Sequence, residues 1–451
     1  MTHYKPYPAY RKSGVEWIGD VPEHWDVKRL RQVASFTNSG IDKKSYEDQE
    51  QVSLCNYTDV YYNEFITADM PFMLATASKV EIEQFTLKKG DLIITKDSED
   101  PSDIGIPALV VEDAPGVVCG YHLTLIRSVE LATARLLHRV LQSTPTHAYF
   151  YIESPGITRY GLGQDVIGDL RVCMPPENEI VRIADCIDRE TKRIDSLITK
   201  KTRFLELLKE KRQALITHAV TKGLDPNVKM RDSGVEWIGD VPDEFDDSKI
   251  KYVVDSMEQG WSPQCESIAA TENEWGVLKV GCVNGGTFNP KENKLLPEDL
   301  IPDPNLGLVA GDVIVSRANT RELVGGCAVI HSDYPKLLLC DKLYRLRPNE
   351  KILSEFLARV IQVYGRPEIE TDASGTSASM VNISMSTIRD LRFCLPTIEK
   401  QCGILSRITS LTGRLDLITA KTQLSIDLLK KRRSAFITAA VTGQIDLREP
   451  A

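Results

Sequence analysis

The sequence predicts an α+β protein built twice: two α/β domains, each followed by a long helix, the helices pairing as an antiparallel coiled coil within a pseudo-two-fold tandem duplication. Three observations predict it. The decapeptide Ser13-Gly14-Val15-Glu16-Trp17-Ile18-Gly19-Asp20-Val21-Pro22 returns unchanged as Ser233 to Pro242, a period of 220 residues that is far too long for a solenoid and right for a whole domain. The copies then stay in step, with Gly90-Asp91-Leu92-Ile93-Ile94 answered by Gly311-Asp312-Val313-Ile314-Val315, and Asp169-Leu170-Arg171-Val172-Cys173-Met174-Pro175 by Asp390-Leu391-Arg392-Phe393-Cys394-Leu395-Pro396. Each copy closes on a heptad-patterned stretch after its prolines.

Taken in order, residues 1–176 form the first domain, 177–222 the first helix, 223–397 the second domain, 398–443 the second helix and 444–451 a tail. Each domain opens on the Trp-Ile-Gly-Asp-Val-Pro segment, an ordered entry loop by its glycine and proline punctuation. Val-, Leu- and Ile-rich runs predict short strands at Gln51–Tyr57, Asp91–Lys96, Ala108–Glu112 and Leu123–Arg127, with a helix at Glu130–Gln142. Their counterparts are Gly276–Val283, Asp312–Arg317, Ala328–His331, Leu343–Arg347 and, for the helix, Ser354–Val363. A long helix follows Pro175-Pro176 and another Pro396, because proline is tolerated at a first turn and not inside. The apolar seam runs Ile180, Ile183, Ile187, Ile194, Leu197, Phe204, Leu208 and Leu215 in the first helix, and Ile404, Ile408, Leu411, Leu415, Ile418, Leu429 and Phe436 in the second. The register admits polar Glu190, Lys201, Lys211, Gln401, Thr422, Ser425 and Arg432. Two such rods in one chain most simply pair with each other, and if a pseudo-two-fold axis across the rods relates the halves, which a tandem duplication permits, that pairing is antiparallel.

With 451 residues, 42% hydrophobic and 26% charged, the chain can bury several cores and is neither disordered nor fibrous. It shows no secretory leader pattern and no stretch of some eighteen apolar residues, so a cytoplasmic location is expected. Ten cysteines without a Cys-x-x-Cys pair read as reduced core thiols rather than a disulfide framework, and seven histidines without ligand spacing predict no metal. A net charge of −9 excludes coating of nucleic acid by bulk electrostatics; any DNA contact must rest on local basic patches or on basic partners.

The paired Trp-Ile-Gly-Asp-Val-Pro openings, the paired Gly-Asp-(Leu/Val)-Ile strands, and the helix entries Met174-Pro175-Pro176-Glu177 and Leu395-Pro396-Thr397-Ile398-Glu399-Lys400-Gln401 together resemble the specificity subunit of type I restriction-modification enzymes. The likeness covers essentially the whole chain. The second entry is similar to that family's Leu-Pro-Pro-(apolar)-Glu-x-Gln stretch; the first departs from it at Asn178-Glu179. The resemblance implies two target-recognition domains, each reading one half of a bipartite double-stranded DNA sequence, and helices that dock two modification subunits. It implies restriction motor subunits joining that core, with S-adenosylmethionine, ATP and magnesium on the partners and no cofactor on this chain. A coiled-coil adaptor tethering two protein-binding domains without DNA is the alternative.

No chemistry of its own is legible. An adenine methyltransferase needs an (Asp/Asn)-Pro-Pro-(Tyr/Phe) loop, and Pro175-Pro176 lies in Met-Pro-Pro-Glu. No phosphate-binding Gly-x-x-x-x-Gly-Lys-(Ser/Thr) occurs. Asp91 with Lys96 is a fragment of a nuclease pattern, but its counterpart Asp312 with Arg317 lacks the lysine, so both read as strand-edge residues.

DNA contacts are expected in three places. The stretches after the paired Gly-Asp strands supply Thr95, Lys96 and Ser98 in one half and Ser316, Arg317, Asn319, Thr320 and Arg321 in the other; arginine suits guanine edges and asparagine adenine. Asp97 or Glu99 could accept from cytosine, or the loop is merely solvated. Before each final strand lie the stretches Arg159 to Gln164, with Tyr160, Gly161, Gly163 and Gln164 as candidate contacts, and Ser374 to Ser379, with Ser374, Gly375, Thr376 and Ser377, where small or polar residues let the backbone approach phosphates or form an ordinary loop. Lys43 and Lys44 are the most basic spot of the first domain. Trp17, Trp25, Trp237 and Phe245 are expected to anchor the entry loops in the core rather than to stack on bases.

Overall fold

A computed structural model describes residues 4–235, 238–372, 374–377 and 380–448, leaving out the side chains at 366–368, 370–372 and 374–377. It divides into two compact units, Met1–Arg203 with Thr422–Ala451, and Phe204–Lys421. Each therefore holds one sheet domain together with one half of each long helix.

In the first unit, the entry segment is a hairpin, Tyr10–Lys12 against Asp20–Pro22. Gly14 and Gly19 carry its positive φ values, which a Cβ would strain. Strand Asp26–Arg29 pairs antiparallel with Arg171–Met174, so the first and last strands of the domain close on each other. Between them stand two sheets. One has the order Ser35–Asn38, Leu123–Arg127, Leu92–Thr95, Pro107–Val110, Phe65–Ile66, and the other Met73–Ala77, Glu50–Cys55, Ala114–Cys119, Thr86–Leu87. Most neighbours are antiparallel, which makes the domain α+β in kind. Val52, Leu54, Ile66, Ile93, Val110, Val118 and Leu125 fill the space between the sheets, each worth about 1.5–3 kcal/mol of burial. The helices Leu131–Leu141 and Thr144–Glu153 share a second core with the long helices.

The second unit repeats the plan. Met230–Asp232 pairs with Asp240–Pro242 and Asp246–Lys249 with Arg392–Leu395. Its sheets run Val254–Gln259, Leu343–Pro348, Val313–Ser316, Cys327–Val329, and Asn293–Leu295, Gly276–Leu278, Tyr334–Leu338, Gly307–Leu308. The duplicated Gly-Asp has one cause in both copies. Gly90 and Gly311 sit at φ 91° and 94°, while Asp91 Oδ2 accepts from the Lys88 N–H and Asp312 Oδ2 from the Val309 N–H. The same carboxylates pair with Arg127 at 2.9 Å and Arg347 at 3.2 Å. Both aspartates are nearly buried; they are turn-closing residues.

The strand expected at Gly276–Val283 stops at Leu278, and Val280–Gly286 is a 3-10 segment instead, with Gly285 at φ 80°. The helix expected at Ser354–Val363 continues to Asp372.

The long helices are Glu177–Lys222 and Ile398–Val441, and within each unit they run antiparallel. In the first unit Asp195 meets Arg433 at 2.8 Å while Glu179, in the first turn, meets Arg448 beyond the other helix's end. In the second, Arg212 meets Asp416 at 3.4 Å and Gly403 lies beside Leu224. These two ion pairs occupy equivalent positions of the two copies.

One stripe of the expected seam is right and the other is shifted by a residue. Ile187, Ile194, Leu208, Ile408, Leu415, Thr422 and Phe436 are buried as expected. Leu197, Phe204 and Ile418 are more than two-fifths exposed, and the inward positions are Thr191, Ile198, Leu205, Thr412, Ile426 and Arg433. Apolar side chains stand three and four residues from each seam position, so periodicity alone cannot choose between the flanks. Packing turned the flank with Thr191, Ile198, Leu205, Thr412, Ile426 and Arg433 inward and left Leu197, Phe204 and Ile418 outside.

Trp25 and Phe245 are buried, as expected for anchors of the entry loops. Trp17 is 47% exposed and stacks on Tyr149 at 5.6 Å instead of entering the core. Trp237 lies outside the described residues.

Candidate nucleic-acid interface

In each domain the two loop stretches that the sequence proposes separately become one surface. In the first, Asp97–Ser98 forms a short ladder with Tyr160–Gly161. In the second, Ala318–Asn319 pairs with Met380–Asn382, which also pairs with Ser374–Ser377. The backbone knits further segments to this junction. The Lys96 N–H donates to His122 O, the Leu162 N–H to Lys96 O, and the Tyr121 N–H to Ile41 O, which brings the Lys43-Lys44 loop alongside. The second domain repeats two of these bonds, from Arg317 N–H to Lys342 O and from Ile383 N–H to Arg317 O.

Side chains at the first junction form a charge cluster. Asp97 accepts from Lys96 Nζ at 2.9 Å, from His122 Nδ1 at 2.5 Å and from Arg159 Nη2 at 3.0 Å. Burial opposes ionisation of Asp97, but Lys96 and then His122 outweigh it and hold the carboxyl below its ordinary range. Lys96 also lies over the Tyr121 ring at 5.6 Å. Beside the cluster, the Tyr57 hydroxyl donates to Ser98 Oγ at 3.4 Å and stacks on Tyr61 at 5.6 Å, with Tyr62 77% exposed next to it. Exposed aromatic faces beside cations are the elements that nucleic-acid surfaces use.

Not every residue read from the sequence faces outward. Thr95 and Ser316 are completely buried: Thr95 Oγ1 donates to Asp103 O and accepts from the Ile106 N–H, and Ser316 Oγ donates to Leu323 O. They shape the loops and cannot touch a ligand. Asn319 is only 8% exposed; its Oδ1 accepts from the Thr320 N–H and its Nδ2 donates to Asn284, so its amide is committed. Arg317 is half-buried, and Thr320 and Arg321 are exposed. Lys43 and Lys44 are exposed, with Lys44 3.8 Å from Asp42. Gly163 and Gln164 are exposed at the start of a short helix, and Tyr160 and Gly161 are half-buried in the ladder. The side chains of Ser374, Thr376 and Ser377 lie outside the description; their backbone, with that of Gly375, forms the outer strand.

Sequence reasoning had Arg159 at the head of a candidate stretch without choosing it as a contact, and passed over Tyr57, Tyr121 and His122, and in the second domain Gln259, Ser262 and Asp341, where Ser262 donates to Asp341 at 2.5 Å and Gln259 to Asp341 O at 3.0 Å. One signal existed. Tyr121-His122 and Asp341-Lys342 precede the matched strands Leu123–Arg127 and Leu343–Pro348, so they are divergent residues at a fixed place in a repeated frame.

Among the described residues no group of three or more histidine, cysteine or acidic side chains is placed to hold a metal ion. No helix there is long and apolar enough to cross a membrane. The cysteines are unpaired, eight of them buried, with Cys265 half-buried and Cys402 exposed.

The fold and junctions define a class: a tandem two-domain chain in which each unit holds a sheet domain, antiparallel halves of the two long helices and one loop junction. Over nearly its whole length the chain is similar to the specificity subunits of type I restriction enzymes. The EcoKI specificity subunit of Escherichia coli is 21% identical across 95% of this chain and 90% of its own. The MjaVIII specificity subunit of Methanocaldococcus jannaschii is 21% identical across 95% of this chain and 94% of its own. The EcoEI specificity subunit of Escherichia coli is 28% identical over 178 residues, a match spanning only 30% of that protein. A chain solved in work on complex assembly and conformational transition of the type I R-M system shares the fold, with a TM-score of 0.69, 15% identity, and coverage of 94% of this chain and 99% of that one. No family model matches.

Proposed function

We propose that this chain is the non-catalytic, sequence-reading subunit of a type I restriction-modification enzyme. Each domain reads one half of a bipartite double-stranded DNA target through its loop junction, and the long helices dock two modification subunits, to which restriction motor subunits attach. S-adenosylmethionine, ATP and magnesium then belong to the partners, and the complex works in the cytoplasm. The observation that carries this reading is the recurrence of one junction, assembled from the same backbone bonds, in both domains while the side chains on it differ. A frame kept twice with contents varied twice suits two half-sites of different sequence.

The helices support partner docking. Val181, Leu197, Leu424 and Leu428 in the first unit, and Phe204, Leu207, Leu417 and Ile418 in the second, are exposed apolar residues on otherwise charged helices, a surface that soluble proteins ordinarily cover.

The test is co-expression of the full chain with the modification subunit of its host, followed by methylome sequencing. A bipartite motif is expected, with one half altered by Arg317→Ala plus Arg321→Ala at about 1–3 kcal/mol per lost base contact. Methylation without any motif, or a motif unchanged by substitutions at both junctions, overturns the reading.

A further inference from the structure

We propose that Asp97 is a positioning residue for base recognition by the first domain, and that Arg159 is the side chain it presents to a guanine edge. The inference rests on the function proposed above and specifies its chemistry at one junction.

The geometry is that of a clamp. Asp97, with 16% of its side chain exposed, holds Lys96, His122 and Arg159 at once. Lys96 and His122 are sunk to 19% and 22% exposure, whereas Arg159 stands out at 56%. Only Arg159 Nη2 reaches the carboxylate, and the same nitrogen lies 3.0 Å from His122 Nδ1. The guanidinium is thus oriented by Asp97, with a further side-chain hydrogen bond to Tyr121, while more than half of the side chain remains in solvent. A planar fork fixed in this way suits the paired N7 and O6 acceptors of guanine in the major groove. Lys96 and Arg159 share one carboxylate, so the cluster keeps a surplus positive charge toward the phosphates even with His122 neutral.

The clamp belongs to one domain. The residue that opens the equivalent two-residue strand is Ala318, which is buried, and among the described residues its neighbour Arg317 reaches the Asp341 carbonyl, at 3.5 Å. A change at Asp97 therefore acts on one half-site and leaves the other as an internal control of folding.

An aspartate facing DNA opposes binding electrostatically, and this separates positioning from a merely structural role. For Asp97→Asn in the full chain complexed with its modification subunit, selection from a randomised duplex library should lose roughly 10- to 100-fold preference at one guanine of the first half-site. Affinity for non-specific duplex should stay constant or rise, because a negative charge has gone. Asp97→Glu should restore part of the preference, and Arg159→Lys should lose it while retaining non-specific affinity. Unchanged first-half-site preference in Asp97→Asn and Arg159→Ala, or a parallel fall in specific and non-specific affinity, overturns the inference. A wild-type complex without sequence preference at either half-site overturns the proposed function and this inference with it.

Discussion

Single side chains do opposite work at equivalent places in the two copies. Gln401 is fully buried, its Nε2 donating to Lys351 O and Pro396 O and its Oε1 accepting from the Leu353 N–H; the first copy has Ile180 there, packed in an apolar core. Gln401→Ala should destabilise the second unit by about 2–4 kcal/mol, since it opens a cavity and strands three backbone groups. Chemical denaturation followed by tryptophan fluorescence would show it, and a loss under 1 kcal/mol would contradict the account. Next to it, Lys400 pairs with Glu244, whereas the equivalent pair in the first copy is Glu179 with His24 at 3.1 Å. The acidic partner stands on the helix in the first copy and on the domain in the second, which no single-sequence pattern reveals. His138 gives a pH prediction. Burial, and then Arg139, push its imidazole down to about 3, so the unfolded chain takes up a proton near pH 6.5 that the native state refuses. Stability of the first unit should fall as pH drops from about 6.5 toward 3, by up to about 1.4 kcal/mol per pH unit from this group. Glu64, held low despite burial by Arg139 and Arg433, works in the same direction at the lower end. Thermal unfolding between pH 7 and 4.5 should show a slope that His138→Gln reduces.

At the scale of the element, the long helices were legible in length and direction but not in face. Their prolines, capping acids and heptads set where they start and how far they run; which flank of the seam turned inward depended on the domain packed against them. In the first unit Arg433 bridges Asp195 and Glu64, and Arg139, almost buried, bridges Glu64 and Asp188, so a charged network fixes the rotation of both helices against the sheet domain. Ion pairs buried with this geometry are costly to break and specify register. Two sets of substitutions separate inward from outward positions. Ile426→Ala should lower stability by about 2–4 kcal/mol, because that side chain is 3% exposed. Phe204→Ser with Leu417→Ser should leave the melting temperature within about 2 °C and raise solubility of the isolated subunit. Calorimetry on both variants decides the matter; equal destabilisation would return Phe204 to the seam.

Across the whole molecule, the tail does for the first domain what chain continuity does for the second. Lys222 runs on through Gly223, at φ 72°, into the second domain. The second helix ends instead at Gly443, also at φ 72° and seated on Pro22 and Trp25, and Ile445 and Leu447 enter the core of the first unit. The Asp446 N–H donates to Lys5 O, Tyr10 Oη–H to Gly443 O, and Arg448 lies over the Tyr7 ring at 4.8 Å. Removing residues 443–451 should cost the first unit about 3–5 kcal/mol and spare the second. Hydrogen exchange should then accelerate in the sheets of residues 35–127 and remain unchanged in those of residues 254–348.

The sequence by itself determined the duplication, the domain order, the two helices and the turn chemistry, because each is written in local spacing: a repeated decapeptide, a glycine that must take positive φ, a heptad after a proline. It also named the loop stretches that the strands Asp97–Ser98, Tyr160–Gly161 and Ala318–Asn319 occupy. Only the tertiary structure joined those loops into one surface per domain, buried Thr95, Ser316 and Asn319 beneath it, and brought His122 and Arg159 to Asp97 across 25 and 62 residues of chain. The physical reason is that a loop's exposure and charge environment are set by strands paired elsewhere in the sheet, and those pairings are long-range contacts with no period to read.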